Sequence, residues 1–172
     1  MSDTWLKKLD DTFVQREARR RLFVGVFLAT LASGNASQGA EQFGTAEEAK
    51  AILARAVEAL QADKATALKA FNDEKNNQFR THDLYVFCFS LPDGIFTAFE
   101  SPVLLGTDVR DLKLPPNDAI GQRAYDAVAN AAEGTAVTTD YDFPKPGSKM
   151  RAVKQSLEVR VGNQACGVTY FK

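Results

Sequence analysis

Chemistry, if this chain performs any, has few groups to work with. The one histidine, His82, sits in Arg80-Thr-His-Asp83 just ahead of an apolar run, and an aspartate next to it in sequence does not by itself orient the imidazole. A nucleophilic triad needs a serine or cysteine presented at a sharp turn, and no Gly-x-Ser-x-Gly string occurs. The carboxylates Asp108, Asp111, Asp140 and Asp142 are numerous, yet nothing around them predicts the raised pKa that a general acid requires. Two cysteines and a distant histidine are too few for a tetrahedral zinc site, no Cys-x-x-Cys-His string offers haem attachment, and no glycine-rich loop would cradle a phosphate. The residues therefore predict neither an enzyme nor a bound cofactor or metal.

The elements that must position these groups are legible from periodicity. Thr45 followed by Glu48 makes a capping-box pattern at the head of a helical run, in which Ala49, Ile52, Leu53, Ala56, Val57 and Leu60 share one face. Leu68 and Phe71 prolong the stripe past Asp63-Lys64, so either one long helix or two stacked helices end near Asn72. Leu84 to Ser90 and Ile95 to Phe99, joined by Pro92-Asp-Gly94, read as a hairpin. A loop rich in Pro and Gly leads to a helix over Asp118 to Ala132 that Gly134 stops. Thr135 to Phe143, Met150 to Val161 and Gln164 to Phe171 complete a count of five strands, separated by Pro144-Lys-Pro-Gly147 and Gly162-Asn163. Helix, two strands, helical insert and three strands is a PAS-like α+β order, with first and last strands adjacent at the sheet centre.

Composition agrees with a single soluble domain: 172 residues, 45% apolar and 25% charged. A net charge of −1 leaves no basic stripe for nucleic acid. The N-terminus reads as an address. Arg19-Arg-Arg21 precedes the eleven-residue apolar run Leu22 to Ala32, with small residues after it, which is the order of an export signal over residues 1–36. That run is well short of the roughly 20 residues that span a bilayer, so no permanent anchor is expected. Arg20-Arg-Leu-Phe-Val24 also resembles the twin-arginine pattern, with Arg19 where Ser or Thr is usual, and the route stays open. An amphipathic helix from Trp5 to Leu31 packed on the domain is the competing reading.

Several strings bear a more specific likeness. Asp83-Leu-Tyr-Val-Phe-Cys-Phe followed by Asp93-Gly94, Leu104-Leu-Gly-Thr-Asp-Val-Arg-Asp-Leu112, Tyr125-Asp126, Glu133-Gly134, Asp140-Tyr-Asp-Phe-Pro-Lys-Pro146 and the ending Val161 to Lys172 occur in this order. Together they resemble the single Cache domains, the PAS-like extracytoplasmic sensor modules, over Thr45 to Lys172. The resemblance implies a periplasmic or secreted domain that binds a small organic solute such as a short carboxylate, an amino acid or an amine. It also implies signal transduction through a membrane receptor or sensor kinase; this chain shows no transmitter and would be a free-standing member.

The same resemblance implies a pocket between the sheet and the insert. Its walls would be Tyr141, Phe143, Lys154 and Ser156, with Tyr125 and Arg123 on the insert helix as second choices. Aromatic walls beside one cation suit a small anion, since rings exclude water and leave the ammonium less screened. Lys154 shares a strand face with Met150, Ala152, Ser156 and Glu158, so it reads equally well as a solvated lysine beside Glu158. The chain departs from the family where Phe99 replaces a common histidine, Phe143 a common tryptophan, and Lys154-Gln-Ser-Leu157 a Lys-Ser-Ser-Tyr string. A second function class follows: an envelope structural or partner-binding domain whose pocket is filled by Phe99, Phe143 and Leu157. Finally, if the first and last strands pair antiparallel as the PAS-like order has it, Cys88 falls opposite Cys166; a disulfide and two small buried thiols are equal expectations there.

Overall fold

The computed structural model describes residues 43–146 and 150–172. The segment read as an export signal, 1–36, lies outside the described residues.

Helix α1 (Ala46–Ala62) begins at the expected capping box: the Thr45 hydroxyl accepts the Glu48 N–H at 3.2 Å, and the Glu48 carboxylate accepts the Thr45 N–H at 2.8 Å. The face it buries is the predicted one, Ala49, Ile52, Leu53, Ala56, Val57 and Leu60. Of the two arrangements left open, the structure has two helices. Asp63 is extended, so its N–H closes α1 on the Ala59 carbonyl while its side chain accepts the amides of Ala65 and Thr66 and opens α2 (Lys64–Phe71). Asn72 then ties the end of α2 to the sheet, donating to the Thr97 carbonyl at 3.0 Å and accepting from the Phe99 N–H at 3.2 Å.

Among the described residues the sheet has six strands rather than five: β1 (Arg80–Thr81), β2 (Leu84–Ser90), β3 (Phe96–Ala98), β4 (Ala136–Pro144), β5 (Arg151–Val161) and β6 (Gln164–Phe171). The extra member, β1, folds back on Tyr85 and Leu84 through His82, whose φ of 51° makes the turn. Two residues carry no alternation, which is why periodicity does not register it. The order is β1-β2-β6-β5-β4, with β3 also pairing β2, and every pairing is antiparallel. First and last long strands are thus adjacent, as the PAS-like order predicts. Gly162 adopts φ 59° in the two-residue hairpin between β5 and β6, a conformation that asks for glycine. Helix α3 (Ile120–Ala129) is shorter than the expected Asp118–Ala132, because Leu114 and Asp118 exchange backbone hydrogen bonds and hold the chain in a turn up to that point.

Alternation divides the sheet into two faces. Leu84, Val86 and Cys88 of β2, Leu157 and Val159 of β5, and Cys166 and Val168 of β6 are buried on the face crossed by α1. Phe87, Phe89 and Ala165, of opposite parity, pack with Phe96, Val109 and Val128 beneath the insert. Cys88 and Cys166 are directly opposed in the β2–β6 register, their Cα atoms 4.1 Å apart, and are joined by a disulfide.

Candidate functional site

The insert does not close completely onto its face of the sheet. A cavity of about 500 Å³ remains between them. Its floor is a set of side-chain rows set by strand register. Tyr141, Lys154 and Phe171 lie side by side on β4, β5 and β6; Thr139, Ser156 and Thr169 form the next row; Val137, Glu158, Gly167 and Phe87 form the third. Gly167 is what lets the third row exist: a Cβ there would stand 2.6 Å from the Phe87 ring and 2.8 Å from the Glu158 side chain. The roof is apolar, formed by Leu104, Val109, Leu112 and the first turns of α3. Phe99 closes one side, edge-on to Tyr85 at 5.6 Å and to Phe96 at 5.1 Å.

Four of the residues implied by family resemblance, Tyr141, Phe143, Lys154 and Ser156, line this cavity, and so does Phe99, which stands where the family commonly has a histidine. The other two do not. Helix α3 presents Ile120, Gly121 and Ala124 to it, so Arg123 falls on another side of the helix, where it pairs with Asp118 at 2.8 Å and donates to the Asp140 carbonyl. Tyr125 is turned toward β2: its hydroxyl donates to the Leu91 carbonyl, its ring packs on Phe89, and the Arg110 guanidinium lies over the Tyr125 ring, 5.0 Å from its centre.

Lys154 is neither a solvated lysine nor an unengaged cation. It is 8% exposed, its ammonium lies 3.6 Å from Asp83 Oδ2, and the rings of Phe171 and Phe143 stand 4.8 and 5.6 Å from it. Burial lowers its pKa, and the neighbouring Asp83 carboxylate works against that shift. Glu158 is enclosed completely. One carboxyl oxygen accepts the Ser156 hydroxyl at 2.6 Å and the other has no hydrogen-bond partner. Burial pushes this carboxyl up to about 7, partly offset by the Ser156 hydroxyl. Burial likewise pushes Tyr141 up to about 12, and Glu158 contributes in the same direction.

Sequence reasoning missed Asp83, Tyr85, Glu100, Glu158 and Thr169 as parts of the wall. Two of these were within reach: Tyr85 shares strand parity with Phe87, and Glu158 shares it with Lys154 and Ser156. The filled-pocket arrangement does not occur here, since Phe99 and Phe143 form walls and Leu157 points to the opposite face of β5. Among the described residues no group of three or more His, Cys, Asp or Glu side chains could hold a metal ion, and no helix is long and apolar enough to cross a membrane.

This architecture has counterparts among solved structures. A methyl-accepting chemotaxis protein from Vibrio parahaemolyticus superposes with a TM-score of 0.54 at 20% identity, covering 73% of this chain and 86% of that one. The periplasmic sensor domain of a chemotaxis protein gives 0.51 at 18% identity, over 73% and 88% of the two chains. A Cache chemosensory domain described for its carboxylic acid recognition gives 0.51 at 20% identity, over 73% and 86%. The fold is that of a Cache sensor domain. No protein-family model matches the chain, and no curated protein matches it either. In this Cache-like domain the cavity lies where sheet and insert meet, and the sheet order and the insert agree with what the sequence strings predict.

Proposed function

We propose that this chain is an exported ligand-binding domain of the sensing type, which takes a small organic solute into the cavity between sheet and insert. The observation that carries this reading is the cavity itself: about 500 Å³, walled by aromatic and aliphatic side chains, with a few polar groups in fixed positions. That is the composition of a small-molecule site, where apolar walls supply burial and sparse polar groups supply orientation. Tyr141, Phe143, Lys154, Ser156 and Phe99 are the residues assigned to contact. The solved neighbours from chemotaxis proteins support a sensing role, in which the loaded domain would signal through a membrane receptor or sensor kinase. The basic and apolar pattern of residues 1–36 supports export to the periplasm.

The test is a thermal-shift screen of short carboxylates, amino acids and amines, with a mass spectrum of the purified protein to look for a retained solute. A ligand at a hundred times its Kd would stabilise the fold by about 2.7 kcal/mol. No shift with any class, and no retained solute, would overturn the reading. Fractionation that finds the chain unprocessed in the cytosol would overturn the export half of it.

A further inference from the structure

The charges around the cavity are unequal. Among the described residues, Asp83, Glu100 and Glu158 stand in its wall against one cation, Lys154. That cation faces Asp83 Oδ2 at 3.6 Å, so this oxygen has a charge partner though no hydrogen-bond donor, while the Glu158 oxygen that the Ser156 hydroxyl leaves free has neither. A buried acceptor without a donor is a debt in the fold, and a bound donor is what removes it. An entering anion would have to displace Asp83 from Lys154 and would sit among the carboxyl groups of Asp83, Glu100 and Glu158. An entering cation meets the opposite situation. Its walls are the rings of Tyr85, Phe87, Phe99, Tyr141 and Phe143, whose π-faces attract positive charge, and its inner end is Glu158.

Resting on the small-solute reading above, we infer that the ligand is a small organic cation, an aliphatic ammonium whose charged head lies against Glu158 and whose alkyl part lies under the insert. Glu158 has no exposure to water, so the ammonium reaches it by a rotation of that side chain away from Ser156 into the cavity. The third row of the floor, with Gly167 and Phe87, keeps the head group from passing further.

Titration calorimetry on the full 172-residue chain tests this with three probes of matched shape, n-butylamine, n-butanol and butyrate, and with choline as the quaternary case. Butylamine or choline is expected to bind and butyrate is not, with butanol weaker than the amine. Glu158→Gln, which keeps the shape and removes the charge, is expected to weaken cation binding about tenfold or more. Butyrate binding without amine binding would overturn the inference and leave the small-solute reading intact, as would amine binding unchanged in the variant. Silence from every probe, with no retained solute in the mass spectrum, would overturn both. The ranking of probes on the unsubstituted chain decides the matter even if the variant fails to fold.

Discussion

Lys154 Nζ lies 3.6 Å from Asp83 Oδ2, a link that passes over β6 to join β5 to the turn leading into β2. Asp83 has a second tie, because its other carboxyl oxygen accepts the Gly44 N–H at 2.8 Å just ahead of α1. The two partners are therefore unequal in what they retain when the other is lost. Asp83→Asn would leave a buried ammonium without its facing carboxylate and should cost about 2 kcal/mol, whereas Lys154→Met leaves Asp83 its backbone donor and should cost about 1 kcal/mol or less. Urea denaturation of both variants checks the order, and a larger loss in Lys154→Met would contradict the pairing.

Glu158 makes stability depend on pH in an unusual direction. Its ordinary value is 4.5 and burial holds it at about 7 in the folded state. Between these values the unfolded chain has released a proton that the folded chain still holds, so stability falls as pH rises through that window and is level above it. The size is roughly 3 kcal/mol at the full shift. Glu158→Gln removes this term, so the variant should gain on the unsubstituted chain between pH 5 and pH 8. Denaturant midpoints at the two pH values measure the difference; equal slopes for both proteins would rule the assignment out.

What could be read in the sequence follows from what periodicity encodes. The α1 face rests on a 3.6-residue repeat and the capping box on the Thr45–Glu48 spacing, whereas the adjacency of first and last strands and the Cys88–Cys166 register come from the PAS-like order; the structure has all of them. Asp63 is different: whether an aspartate in a helical run stays in the helix or caps two shorter ones depends on its backbone conformation, which the apolar stripe does not report. The site divides the same way. Tyr141, Phe143, Lys154 and Ser156 lie on predictable strand parities, but Asp83 reaches Lys154 across an intervening strand and Glu158 is buried only because Gly167 leaves it room. Arg123 and Tyr125 were misplaced because the face of α3 turned to the cavity is set by where the Leu114–Asp118 turn starts the helix.

Gly167 is the position at which the floor tolerates least. Beyond the Phe87 and Glu158 side chains, an added Cβ would lie 2.8 Å from the Leu157 carbonyl oxygen, a backbone atom that cannot swing aside. Gly167→Ala should therefore cost about 1–3 kcal/mol through overpacking. It should also push Glu158 toward the cavity, so any ligand that stabilises the unsubstituted chain should lose thermal shift in the variant beyond the loss in basal melting temperature. A melt identical to that of the unsubstituted protein would show that the strands can spread at no expense.

The disulfide is the final element whose contribution can be isolated. Cys88 and Cys166 are 78 residues apart in sequence but opposed in neighbouring strands, so the bond closes a long loop in the unfolded chain while leaving the β2–β6 ladder to its backbone hydrogen bonds. Loop-closure entropy alone gives about 4 kcal/mol for a loop of this length. The double replacement Cys88→Ala with Cys166→Ala should then keep the far-ultraviolet dichroism of the folded protein and lower the melting temperature on the order of 10 °C. Reductant should do the same to the unsubstituted chain, with two thiols appearing on titration, and should do nothing further to the double variant. A melting curve insensitive to reductant, with two free thiols counted beforehand, would mean that the strands hold together without the bond.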